Sequence, residues 1–90
     1  MELNRQGVRC YQQKQFEEAL RLFRQAFALQ PKNISIALNT AQSLLQSAGG
    51  EMSEALLEES RRCLEVVSQM PETDARHARY QQLQRRATGQ

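Results

Sequence analysis

Residues 3–31 carry a pattern of small and large apolar side chains that strongly restricts the possible fold. The pattern consists of Leu3, Gly7, Cys10, Phe16, Ala19, Leu20, Phe23, Ala26 and Pro31. Small residues allow two helices to approach closely, while larger apolar residues fill the remaining space between them. Residues 13–15 are polar and supply a short turn, and Pro31 cannot extend the second helix. The segment therefore predicts two short antiparallel helices packed against each other.

The rest of the chain predicts a second, altered hairpin and a final helix. A third helix is expected over about 34–47, with Asn33 as its N-cap and Gly49–Gly50 at its end. A fourth helix is expected from about Met52 or Ser53 to Gln69. A fifth, over about 74–87, has a sparse apolar stripe formed by Tyr80, Leu83 and Ala87.

These positions resemble those of a tetratricopeptide repeat, a helix–turn–helix unit of about 34 residues. Ala41 repeats the small side chain of Gly7 one such period later. Cys10 departs from the family's pattern, which usually has a large residue there, and Gln6 replaces a usual leucine. Pro71 lies farther from Pro31 than one period, so extra residues are expected near Gly49–Gly50 or in a longer fourth helix.

The resemblance implies an all-α fold in which antiparallel helical hairpins stack as about two repeats plus a C-terminal capping helix. We expect one domain over 1–87, with 88–90 as a frayed tail. Within it, repeat one covers about 2–31, the altered repeat two about 33–71, and the cap about 74–87. Repeat arrays normally need about three repeats for stability. Together with the absence of a capping residue before the first helix, this suggests a fragment of a longer protein.

Composition agrees with a helical protein, because Gln, Glu, Arg, Leu and Ala are frequent and favour helices. The chain has no secretory leader and no apolar run near the ~18 residues that would span a membrane. Cys10 and Cys63 fall on the apolar faces of separate helices, which favours buried, reduced thiols over a disulfide. We therefore expect a cytoplasmic protein.

No combination of residues points to chemistry. His77, the only histidine, has no neighbouring cysteine or paired carboxylate, so it is expected to be a solvated surface residue. Gly49–Gly50 lack the lysine of a phosphate-binding loop. We expect neither enzymatic activity nor a metal or cofactor.

In the tetratricopeptide family, the first helix of each repeat lines a groove that holds a peptide or helix of a partner. The resemblance assigns the following residues to that groove: Asn4, Arg5, Val8, Tyr11, Gln12, Leu38, Asn39, Gln42, Leu45 and Gln46. The segment over about 74–87 would be a third wall. Asn39 is expected to hydrogen-bond a peptide backbone, or else to lie on a solvated face. Tyr11 is expected to anchor the partner, or else to pack in the core.

Some family members bind a C-terminal carboxylate with lysine and asparagine on the first helix. Asn4 and Val8 stand at those positions here, which argues against that ligand. An adaptor that captures a protein partner is therefore our main functional expectation. Residues 3–46 are also similar to the helical segment that follows the receiver domain in some bacterial two-component response regulators. That similarity implies the output or dimerisation arm of a signalling protein.

Two alternatives remain from the sequence. One is self-association through a broad apolar edge on the fourth helix, formed by Leu56, Leu57, Val66 and Met70. The other is contact with nucleic acid through the arginines near the C-terminus: Arg76, Arg79, Arg85 and Arg86. The formal net charge of +2 is too small to imply nucleic-acid binding by itself.

Overall fold

The computed structural model describes residues 2–48 and 53–88, and five helices contain most of them. The helices are α1 (Glu2–Gln12), α2 (Phe16–Leu29), α3 (Ile34–Ala48), α4 (Glu54–Val67) and α5 (His77–Thr88). Each of the first four packs against the next along the chain, and α5 contacts both α3 and α4. No strand occurs within the described residues. The predicted all-α fold with about five helices is confirmed.

The first hairpin closes tightly where α1 crosses α2. A Cβ atom placed on Gly7 would lie 2.6 Å from Cε1 of Phe23, and the Phe23 ring is itself buried. Ala19 and Ala26 of α2 are fully buried as well. The ring of Phe23 thus occupies the space that a side chain at Gly7 would need.

A turn of three residues, 13–15, links α1 to α2. Lys14 adopts the left-handed region with φ 64°. Its backbone N–H donates to the carbonyl of Tyr11 at 3.0 Å, and Gln15 N–H donates to Cys10 at 2.8 Å. These bonds use carbonyls at the end of α1 and reverse the chain, which confirms the predicted polar turn.

The core is continuous from α2 to α5. Leu44 of α3 and Cys63 and Val67 of α4 are fully buried, and α5 contributes Tyr80 and Leu83. On the surface, Arg24 of α2 donates to both carboxylate oxygens of Glu59 on α4, at 2.6 and 2.9 Å. The bidentate pair joins the second helix of each hairpin.

Helix ends follow the capping residues. Asn33 Oδ1 accepts from the Ile36 N–H at 3.0 Å, which confirms the predicted N-cap of α3. Ser53 Oγ accepts from the Leu56 N–H at 3.2 Å at the start of α4. The expected glycine stop at Gly49–Gly50, with its extra residues, lies outside the described residues.

The predicted limits of the last two helices need correction. The fourth helix ends at Val67 rather than Gln69, and the fifth begins at His77 rather than near Asp74. The Asp74 carboxylate accepts from the Arg76 N–H at 2.9 Å, which holds residues 74–76 in a turn before the helix. The fifth helix continues through Thr88, one residue beyond the predicted limit of the cap.

The two cysteines are free thiols. Cys10 is half-buried and Cys63 is fully buried. Burial, with a smaller contribution from Glu59, raises the pKa of Cys63 to about 12. Among the described helices, none combines the length and hydrophobicity needed to cross a membrane.

Candidate functional site

A cavity of about 170 Å³ opens between α1, α3 and α5, and we call it the groove. Its lining residues are Val8, Tyr11, Gln12, Phe23, Asn39, Gln42 and Arg79. The first three come from α1, Phe23 from α2, Asn39 and Gln42 from α3, and Arg79 from α5. The groove therefore has three walls, from α1, α3 and α5, and Phe23 of α2 also lines it.

A chain of hydrogen bonds runs across the groove through Asn39. Its Nδ2 donates to Asn4 Oδ1 at 3.0 Å, and its Oδ1 accepts from Arg79 Nη2 at 2.8 Å. The amide that was expected to bind a peptide backbone therefore already has one internal donor and one internal acceptor. Asn39 holds the Arg79 guanidinium in position, with one N–H and one lone pair remaining for other partners.

Arg79 has an unusual environment for a cation. It is half-buried, and its Nε is buried without a hydrogen-bond partner. None of the ion pairs formed by the described residues includes it. Burial lowers the pKa of Arg79, partly opposed by Tyr11 and assisted by Arg76. The missing countercharge makes this end of the groove favourable for an anionic group of a ligand.

Tyr11 packs inside the domain and also lines the groove. Its ring packs edge-to-face on Phe16 with centroids 5.0 Å apart. Its hydroxyl oxygen accepts from Gln42 Nε2 at 3.2 Å. The hydroxyl proton is then available to donate to an acceptor that enters the groove.

The structure gathers only part of the predicted groove. Val8, Tyr11, Gln12, Asn39 and Gln42 line the cavity, and Asn4 reaches it through its bond to Asn39. Arg5 and Gln46 are exposed but do not line it.

Two predicted groove residues belong to the core instead. Leu38 and Leu45 are 1% and 3% exposed and pack in the main apolar cluster. The reason is that α3 contacts α2, α4 and α5, so it buries a wider arc than an outer helix does. No partner can reach these two side chains in the folded domain.

The repeat positions differ in their burial. Ala19, Leu20, Phe23, Ala26 and Ala41 are buried, together with Gly7. Leu3, Cys10 and Phe16 are half-buried, and Pro31 is exposed at the turn.

Arg79 and Phe23 are the groove residues that the sequence did not identify. Arg79 follows Asn39 by 40 residues, and Asn39 follows Asn4 by 35. The two hydrogen bonds thus link side chains of α1, α3 and α5. Pro31 and Pro71 show the same longer spacing in the sequence, and this spacing is the signal that could have located Arg79.

The surfaces expected to serve self-association and nucleic-acid contact are not exposed as the sequence predicts. Met70 is buried, and Leu56, Leu57 and Val66 pack partly against the core. The arginines do not form one basic face, because Arg76 pairs with Asp74 at 2.8 Å while Arg79 lines the groove. The side chain of Arg86 is outside the described part.

His77 packs its ring against Tyr80 with centroids 5.7 Å apart, so it is half-buried rather than solvated. Within 2–48 and 53–88, no group of three or more histidine, cysteine or acidic side chains is arranged to hold a metal ion.

Residues 1–33 match the family model of the tetratricopeptide repeat. The match spans α1, α2 and the turn into α3. A comparison with curated proteins and a comparison with solved structures give no significant match. The first hairpin thus has the sequence of a tetratricopeptide repeat, a family that generally serves as a non-catalytic scaffold and mediates binding to other proteins.

Proposed function

We propose that this domain is an adaptor whose groove binds an extended segment of a partner protein and pairs an acidic group of that segment with Arg79. The observation that carries the proposal is the half-buried Arg79, which lines the groove without a carboxylate partner among the described residues. Because a charge removed from water is costly unless it is paired, this site gains more from an anionic ligand than a solvated arginine would.

The remaining lining suits a peptide in an extended conformation. Val8 provides apolar surface, while Gln12, Gln42 and the Tyr11 hydroxyl provide hydrogen-bonding groups. A cavity of about 170 Å³ has room for one or two side chains but not for a whole helix. An extended segment can place one side chain in the cavity and expose backbone groups to the glutamines.

The contribution of Arg79 can be estimated from known hydrogen-bond energies. Hydrogen bonds to charged groups contribute about 1.5–3 kcal/mol each. Loss of one such contact corresponds to a decrease in affinity of about 10-fold to 150-fold. Arg79→Gln keeps a shorter polar side chain and removes the guanidinium with its charge, so it tests the contribution of that group.

The test begins with selection from a random peptide library on the whole domain. We expect enrichment of Asp or Glu at one fixed position relative to an apolar residue. A selected peptide, labelled with a fluorophore, is then titrated by fluorescence anisotropy with wild type, Arg79→Gln and Tyr11→Ala. Arg79→Gln should weaken binding at least 10-fold, and the loss should be smaller for a peptide whose acidic residue is replaced by its amide.

Arg21→Gln is the matched control, because Arg21 is an exposed arginine that pairs with Glu18 outside the groove. It should leave the affinity unchanged. Equal binding by wild type and Arg79→Gln, with both variants folded by circular dichroism, would refute the role of Arg79. Selected peptides without any acidic preference would refute the ligand class.

The similarity of residues 3–46 to response-regulator segments adds a setting to the proposal. In that setting the domain is a cytoplasmic output arm whose groove is presented to its partner when an attached receiver domain is phosphorylated. The measurement is peptide affinity in the full-length protein before and after phosphorylation. Unchanged affinity, or a full-length protein without a receiver domain, would remove this setting and leave the groove assignment intact.

A further inference from the structure

A second cavity, of about 390 Å³, lies between the α2–α3 turn and α4, and we call it the turn pocket. Its lining residues are Pro31, Lys32, Arg62, Glu65, Val66 and Gln69. It shares no residue with the groove. Arg62, Glu65 and Val66 project from one face of α4, since residues three and four apart lie side by side on a helix.

Apolar groups form part of the lining of the turn pocket. Val66 is half-buried and Pro31 is an exposed ring, and the aliphatic stems of Lys32 and Arg62 add to them. Leu29, two residues before Pro31, is 66% exposed and is the large apolar side chain that the described residues leave most open to water. Apolar exposure is thus concentrated near this turn.

The charges at the turn pocket are unbalanced. Lys32 comes from the turn and Arg62 from α4, and neither forms an ion pair within the described residues. By contrast, Arg21, Arg24 and Arg76 each have a carboxylate partner. Among the described residues, Glu65 is the single carboxylate that lines the pocket, so the charges of this lining sum to a net positive charge.

We propose that the turn pocket is a second docking site, for a short acidic segment of a partner protein that carries an apolar anchor residue. The anchor packs between Pro31 and Val66, and carboxylates on either side of it pair with Lys32 and Arg62. Charge complementarity selects an acidic segment over a basic one. A volume of about 390 Å³ is sufficient for an apolar anchor side chain. A partner that also occupies the groove would gain avidity from the second contact.

The experiment is an NMR titration of the 15N-labelled domain with three capped hexapeptides. The first has the sequence Asp-Glu-Leu-Asp-Asp-Leu, the second has lysine in place of every acidic residue, and the third has serine in place of both leucines. We expect only the first to shift the amide signals of Lys32, Arg62 and Val66. Shifts confined to Arg79, Asn39 and Tyr11 would place the acidic peptide in the groove alone and overturn the turn pocket.

Lys32→Glu is the diagnostic variant, since Lys32 is exposed and the change should not affect folding. It should weaken binding of the first peptide at least 10-fold. Lys14→Glu is the matched control at the exposed α1–α2 turn, and it should leave the affinity unchanged. Equal affinity for Lys32→Glu and wild type, or equal binding of the lysine peptide, overturns the proposal. Neither result affects the assignment of Arg79 to the groove, which Arg79→Gln tests separately.

Discussion

Gly7→Ala is the substitution for which the structure and helix propensity predict opposite results. In an exposed helix interior, alanine stabilises by about 1 kcal/mol relative to glycine. Here the added Cβ would lie 2.6, 2.7 and 3.0 Å from three carbons of the Phe23 ring. Carbon atoms in favourable contact lie about 3.5–4.0 Å apart, so the ring must move by about 1 Å.

The Phe23 ring has little freedom to move, because it is only 2% exposed. Inserting a methyl group into a well-packed core costs typically about 1–3 kcal/mol. The contact distances place Gly7→Ala in the upper part of that range. After subtraction of the propensity gain, we expect a net loss of about 1–2 kcal/mol, which lowers the melting temperature by several degrees for a domain of this size.

The assay is urea unfolding followed by circular dichroism at 222 nm. Two controls separate the gain in helix propensity from the cost of the contact with Phe23. Gln25→Ala compared with Gln25→Gly measures the propensity difference at an exposed site of α2. In a Phe23→Leu background the ring edge is absent, so Gly7→Ala should be neutral or stabilising, with a coupling energy of at least about 1 kcal/mol. A Gly7→Ala variant as stable as wild type would refute the reasoning.

Three further changes follow from local features. Hydrogen bonds from Arg76 hold the pKa of Asp74 at about 2, below its usual 3.8. The stability that this carboxylate adds to the folded state is therefore complete above about pH 4 and is lost as the pH falls towards 2. Thermal unfolding from pH 2 to 6 should show that loss in wild type and less of it in Asp74→Asn; parallel curves would contradict the assignment. A thiol reagent such as DTNB should label Cys10 in the native protein and spare Cys63, which is buried and has a pKa of about 12. Cys10→Ser should therefore abolish labelling of the native protein. Rapid labelling of both thiols would contradict the burial of Cys63. Lys14 has φ 64°, so Lys14→Gly should raise the unfolding free energy by about 0.5 kcal/mol, while Gln15→Gly at φ −90° should lower it. Urea unfolding measures both changes. A loss of stability in Lys14→Gly would count against strain at the turn.

Features that depend on neighbouring residues were predictable from the sequence. The cap at Asn33, the turn at residues 13–15 and the close approach at Gly7 each depend on a few residues whose chemistry allows one local geometry. The all-α fold follows because these signals recur at helical spacing. Local chemistry also explains one error, since Asp74 uses its side chain to form a turn where apolar periodicity alone had predicted helix.

The groove was harder to predict, because its composition depends on how helices distant in sequence are rotated. Leu38 and Leu45 share α3 with Asn39 and Gln42, and periodicity alone cannot tell which of them α4 and α5 will cover. Arg79 was missed for a related reason. Its place opposite Asn39 depends on the longer second repeat, and α5 has too few apolar residues to define its rotation.

The hydrogen bonds that join Asn4, Asn39 and Arg79 have a consequence for the entropy of binding. They connect α1, α3 and α5, so the distances between the three walls are set when the domain folds. A free arginine side chain has about 2 kcal/mol of conformational entropy to lose when it is fixed in place. In this domain much of that loss occurs during folding, so an anionic ligand of the proposed kind would meet a cation already oriented and would bind with a smaller entropic penalty.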